Sequence, residues 1–142
     1  MLRSIRTDPQ AAWKQRFRVP ALIGSQIARN NPVRGLICSN HSGIFQLHAW
    51  DIPSGKLQQL SHEPHGALIG AISPDGRYIY YPLDSDGDEF GYIARVLFEG
   101  GKAQDLTPRF LQYPCSQICL TATLTCCALH ALRGSSSLGA SY

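Results

Sequence analysis

Charge is sparse in this 142-residue sequence: 16% of its residues are Asp, Glu, Lys or Arg, and positions 109 to 142 hold two arginines and no acid. With 44% hydrophobic residues, it lacks the low hydrophobicity and high net charge of a disordered chain. No apolar run reaches the roughly 18 residues that a membrane helix requires. The start, MLRSIRTDPQ, has basic residues without the apolar segment of a secretory signal. A cytoplasmic protein with no membrane partner is the expectation. The five cysteines, Cys38, Cys115, Cys119, Cys126 and Cys127, are odd in number and contain no C-x2-C pair. That argues against both a disulfide framework and a zinc site, and predicts unpaired thiols in a reducing compartment. A G-x-S-x-G elbow is also missing, since Gly134-Ser135-Ser136-Ser137-Leu138-Gly139 puts Leu138 where the second glycine belongs.

The net charge of +3 hides an asymmetry. Residues 1 to 35 carry seven Lys/Arg against one Asp, and residues 36 to 108 carry four against nine acids. A basic start invites a nucleic-acid reading, but these charges are spread singly with no aromatic platform beside them. A solvated lead-in with no nucleic-acid partner is expected.

What is present is clearest from Gly66 to Pro108. Ser73-Pro74-Asp75-Gly76 suits the four places of a type I turn in order. Before it stands Ala67 to Ile72, short and apolar; after it stands Arg77 to Tyr81, rich in aromatic and β-branched residues. The polar cluster Asp84 to Glu89 turns the chain, Phe90 to Phe98 makes a third strand, Glu99 to Lys102 turns again, and Ala103 to Leu106 makes a fourth. The stretch predicts a four-stranded antiparallel meander.

One meander cannot bury both its faces, so a repeat is expected. Ala21-Leu22-Ile23-Gly24 returns as Ala67-Leu68-Ile69-Gly70, Gly55-Lys56 as Gly101-Lys102, and Leu60-Ser61 as Leu106-Thr107, each 46 residues later. Leu36-Ile37-Cys38 matches Ile79-Tyr80-Tyr81 at 43, which a hairpin loop three residues longer explains. Four short strands in a period of roughly 40 to 50 residues is the pattern of propeller blades.

The reading is an all-β fold: two four-stranded antiparallel β-propeller blades, 21–61 and 67–107, form an incomplete propeller over residues 21–108. An irregular lead-in, 1–20, precedes them and a poorly ordered Cys/Ser-rich tail, 109–142, follows. In the lead-in, Asp8-Pro9 is placed to cap a helical turn that brings Trp13 and Phe17 to one face. In the first blade, strands are expected near Ala21 to Ala28, Leu36 to Ser39, Ile44 to Ile52 and Leu57 to Leu60, with Asn30 to Gly35 as the first turn. Phe45, Leu47 and Ala49 alternate with Gln46, His48 and Trp50, as in a strand with two unlike faces. Beyond Pro108 the repeat stops, which suggests a tail foreign to the propeller by frameshift or fusion.

No chemistry stands out. Asp84, Asp86, Asp88 and Glu89 resemble a calcium loop, but an EF-hand starting at Asp84 needs Gly at Glu89 and Glu at Arg95. His62 and His65 lie in a loop with no second ligand pair at zinc spacing. Ser73 and Ser54 belong to turns, and no motif ties a histidine to a serine. No catalytic, cofactor-binding or metal residue is expected.

The string SPDGRYIYYPLDSDGDEFGYIARVLFEGGKAQDLTP resembles the N-terminal β-propeller of the prolyl oligopeptidase (S9) family of serine peptidases. The segments Trp13 to Arg18 and Phe45 to Gly55 are similar to the start of such propellers, so the resemblance covers residues 12 to 108 or so. Its Ser-Pro-Asp-Gly turn is shared with TolB-like and other WD40-like propellers, and Trp50-Asp51 is similar to the dipeptide that ends many propeller strands. The resemblance implies a non-catalytic part of a peptidase, about two blades of seven or eight. Its partner would be an α/β-hydrolase domain carrying the catalytic triad, to which the whole propeller admits short peptides. None of the triad positions is present here. The other class left open is a free-standing WD40/TolB-like segment that presents loops to a protein partner.

Overall fold

Ser73 builds its turn with side chain and backbone together. The Gly76 amide donates to the Ser73 carbonyl at 2.9 Å, the Ser73 hydroxyl donates to Asp75 Oδ1 at 2.5 Å, and the Tyr78 amide returns to Ser73 Oγ at 2.9 Å. Gly76 sits at φ +72°, a conformation that costs an L side chain energy. The turn is the one the sequence predicts, seen in a computed structural model that describes residues 8–84, 90–107, 113–114, 117–120, 126–129 and 138–140.

Two antiparallel meanders carry the fold. The first sheet runs in the order β1 (Leu22–Ala28), β2 (Asn31–Ser39), β3 (Gln46–Asp51), β4 (Lys56–Gln59). The second runs β5 (Ala71–Ile72), β6 (Tyr78–Asp84), β7 (Phe90–Leu97), β8 (Gln104–Asp105), and β9 (Tyr113–Pro114) pairs with the far end of β7. A three-stranded sheet follows: β10 (Gln117–Leu120), β11 (Cys126–Leu129), β12 (Leu138–Ala140). Ahead of them stands one helical turn, α1 (Ala12–Gln15), continued as a 3-10 turn over Arg16–Arg18. Its N-cap is Ala11, with no side-chain cap. Asp8 instead accepts the Gln10 amide at 3.0 Å and closes the turn before the helix, a correction to its assigned capping role. Trp13 is 44% exposed, and the Phe17 side chain lies outside the described residues.

The ladder registers revise the repeat. Leu36 faces Ala49 in the first sheet and Tyr80 faces Arg95 in the second, so the β2-to-β6 step is 44 residues, where 43 was expected, while β3-to-β7 keeps 46. The second hairpin loop is thus two residues longer, and Leu36 matches Tyr80. A one-residue slip matters because it exchanges the faces of every side chain in a strand. Gln26 faces Leu36 and Ala71 faces Tyr80, a step of 45, which aligns Gly24 with Ile69 and not with Gly70.

Two expected strand extents also change. Only Ala71 and Ile72 of the run 67–72 join the second ladder. Residues 67 to 70 lean on the first sheet instead: the Ala67 amide donates to the Phe45 carbonyl at 2.8 Å, the Cys38 thiol donates to the Ala67 carbonyl, and Gln26 Nε2 donates to the Gly70 carbonyl at 2.8 Å. The first turn is a tight one at Arg29–Asn30, with Ala28 opposite Asn31, so residues 31 to 35 are strand and not turn.

The sheets pack by unlike faces. The front of the first sheet, with Leu36, Cys38, Leu47 and Ala49, covers the back of the second, with Ile72, Ile79, Tyr81, Ala94 and Val96, in one core. Ile93, which matches Leu47, points the other way, into a second core with Ala71, Tyr80, Leu106 and Ile118. Full burial of Leu47, Ile79 and Val96 contributes about 1.5–3 kcal/mol each. Ile118 stands 46 residues after Ile72, and Tyr113 faces Gly91 where, 46 residues earlier, Ala67 bonds Phe45. The described part of the tail therefore adds a third sheet, and Ile118 packs into the second core.

Candidate functional site

Arg34 ties the two sheets together at their turn end. Its guanidinium donates to the Gly76 carbonyl at 3.1 Å, pairs with Glu99, and stacks over the Phe98 ring with 4.5 Å to the centroid. Beside it the Asn30 amide donates to the Pro74 carbonyl at 2.7 Å, and Asn31 Nδ2 donates to the Asp75 carbonyl. The Ser73–Gly76 turn is thus held by the first sheet's own hairpin. Gln58 Nε2 closes the other side of the seam on the Glu99 carbonyl at 2.9 Å. The sequence carries no local signal for Arg34, because its partners lie 42 and 65 residues away.

Where β1, β5 and β10 lie side by side, a cleft of about 340 Å³ opens between Gln26, Ile27, Arg29, Pro74, Ile118 and Leu120. Gln26 spans its rim, donating to the Gly70 carbonyl and accepting the Ile72 amide. Among the described residues Arg29 is the one charged residue in the lining, and no thiol, hydroxyl or imidazole joins it. Such a lining can hold a chain segment or an anion, but supplies neither nucleophile nor base.

The serines weighed as nucleophiles are occupied in structure. Ser54 donates to Asp51 Oδ1 at 2.5 Å and its amide bonds the same oxygen, closing the β3–β4 hairpin. Those bonds from Ser54 hold the Asp51 carboxyl below the usual range. In the 73–76 turn, burial pushes the Asp75 carboxyl up, but the Ser73 hydroxyl and the Arg77 amide and charge outweigh it, and the net shift is downward. Ser61 is fully buried; it donates to Gln46 Oε1 at 2.6 Å and accepts the Leu47 amide at 2.8 Å.

Among the described residues no histidine converges on any of these. His62 shares a hydrogen bond with Gln59 at 3.1 Å, and His48 is buried on the back of β3 with Nδ1 3.0 Å from the Gln46 carbonyl. Burial lowers the His48 pKa, and the nearby His41 and His62 push it the same way. Tyr81, whose hydroxyl reaches Glu63 at 3.5 Å, is pushed up to about 12 by burial and by that carboxylate.

Of the acidic cluster, Asp84 ends β6, while Asp86, Asp88 and Glu89 lie outside the described residues. Among the described residues no group of three or more His, Cys, Asp or Glu gathers to hold a metal. Cys38 is a buried thiol whose pKa burial raises. Cys119 faces Cys127 and Leu120 faces Cys126 in the third sheet's backbone register, and Cys115 lies outside the described residues. Among the described residues no helix is long and apolar enough to cross a membrane. No family model matches the sequence, and no curated protein matches it.

Proposed function

We propose that this chain is a non-catalytic β-propeller segment of an S9-type serine peptidase, part of a scaffold whose complete form would gate short peptides to an α/β-hydrolase domain. One observation carries the reading: successive sheets repeat at steps of 44 to 46 residues and stack front to back. A sandwich of two like faces would use the opposite contact. Blades around a propeller axis all present the same sense to their neighbours, and the docking of the Ser73–Gly76 turn by the preceding hairpin suits that order. The partner in this reading is the hydrolase domain, and the compartment is the cytoplasm, where a thiol such as Cys38 stays reduced.

The second reading, a WD40/TolB-like scaffold for a protein partner, draws on the cleft beside β1, β5 and β10, whose lining binds and does not react. Reading the gene downstream in all three frames separates the two. A hydrolase domain with G-x-S-x-G supports the peptidase parent, and further blades without one support the scaffold.

A further inference from the structure

Arg29 enters the lining of the cleft beside β1, β5 and β10 on a turn that the second sheet holds in place. It stands at the tip of the β1–β2 hairpin, where the Asn30 amide bonds the Pro74 carbonyl at 2.7 Å and a Cβ on Gly76 would meet Ala28 Cβ at 3.2 Å. The backbone that carries Arg29 is thus docked against Pro74, which is itself part of the lining. Arg29 is exposed, and among the described residues no acid pairs with it.

The rest of the described lining is aliphatic apart from Gln26. Ala71, Ile72 and Ile118 are its buried members, and Ile27 stands 56% exposed beside them in a space of about 340 Å³. Both ends of the Gln26 carboxamide are taken, Nε2 by the Gly70 carbonyl and Oε1 by the Ile72 amide. That bridge occupies the two backbone groups flanking Ala71, so an extended peptide cannot pair with β5 there. What remains is one cation beside an aliphatic wall. A guanidinium matches a carboxylate in a two-pronged pair, and a hydrocarbon group gains by leaving water for such a wall. A phosphate or sulfate alone would leave the aliphatic lining unused.

We propose that this cleft is a binding site for a small aliphatic carboxylate. The carboxylate pairs with Arg29, and the hydrocarbon lies against Ile27, Ile72, Ile118 and Leu120. The site is formed between sheets of one chain and needs neither reading of the parent protein.

Titration of the full chain with sodium hexanoate tests it, read by isothermal calorimetry and by amide shifts in nitrogen-labelled protein. Hexanoate is expected to bind saturably and to move the amides of Gln26, Ile27, Ala71 and Ile118 most. Acetate, which lacks the hydrocarbon, and hexanol, which lacks the charge, are expected to bind roughly tenfold more weakly or worse. Arg29→Gln is expected to lose a similar factor with far-ultraviolet circular dichroism unchanged. Ile27→Thr, which keeps a β-branched residue at an exposed strand position, should lose a smaller one. If Arg29→Gln fails to fold, the hexanol comparison still reads the charge. Absence of saturable hexanoate binding overturns the proposal, as does equal binding by Arg29→Gln or by hexanol. Tighter binding of a blocked tripeptide ending in leucine also overturns it, by assigning the cleft to a peptide chain.

Discussion

Ser61 and Thr107 stand 46 residues apart and make the same bond: each side-chain oxygen accepts the amide of an apolar residue on the third strand of its sheet, Leu47 at 2.8 Å and Ile93 at 2.9 Å. Next to each, the Leu60 amide donates to Leu47 and the Leu106 amide to Ile93, both at 2.8 Å. The fourth strand of either sheet is therefore latched by a hydroxyl just past its end. Ser61→Ala leaves the Leu47 amide and Gln46 Oε1 without that partner in a buried place and should cost about 1–3 kcal/mol. Ser61→Thr, which copies the second latch, should cost far less. Urea unfolding of both variants checks this, and equal losses would refute the latch.

Gly35 lies opposite Trp50, and a Cβ built on it would sit 2.8 Å from Trp50 Cε3 and 3.0 Å from the Gln26 carbonyl. Gly35→Ala should destabilise the fold by about 1–3 kcal/mol through overpacking. Gly24→Ala is the control, since a Cβ there meets nothing within 4 Å. Thermal melts should rank the first well below the second, and a Gly35→Ala protein as stable as wild type would show that the indole moves freely.

His48 makes acid stability depend on one buried imidazole. Its pKa is lowered on folding, mainly by burial, so the unfolded chain binds the proton more readily. The stabilising difference is fully present above the unfolded value of about 6.5 and is lost as pH falls through that value toward the lower folded one. His48→Gln should flatten the stability profile between pH 7 and pH 5, on the order of the working range of an imidazole. Denaturant midpoints measured across that window would show the difference, and parallel profiles would remove His48 from the account.

Ile118 is a core residue of the second cluster at 8% exposure, packed with Ala71, Tyr80, Ile93 and Leu106. Ile118→Ala should cost about 2–5 kcal/mol, as for other large-to-small core changes. A chain cut after Thr107 should melt at a lower temperature and bind a hydrophobic dye. An unchanged melt in both would return the tail to the role of a bystander.

No hydrolysis of peptide or ester substrates above the water background is expected from the purified chain, and no labelling by a fluorophosphonate probe. Ser54, Ser61 and Ser73 each donate to a carboxylate or amide oxygen and none to a histidine, so among the described residues no base is set to take a proton from these three hydroxyls. A single stoichiometrically labelled serine would overturn this.

The turn at Ser73–Gly76, the alternation of Leu47 and Ala49 with Gln46 and His48, and the 46-residue return of Leu60-Ser61 as Leu106-Thr107 were legible from residues alone. Each is set within a few positions, by backbone preference or by the two-residue period of a strand. The step from Leu36 to Tyr80 was not, because register depends on hairpin loops whose lengths differ between copies, and similar residues on both sides of a slip hide it. Nor was the third sheet, whose Ile118 packs into the second core without any of the turn residues that marked the earlier copies. Arg34, Gln26 and the pairing of Gly35 with Trp50 acquire their roles only across strands and sheets, where partners distant in sequence meet. Which face covers which is likewise a property of the folded pair: each sheet carries some apolar residues on both faces, and only packing decides that front meets back.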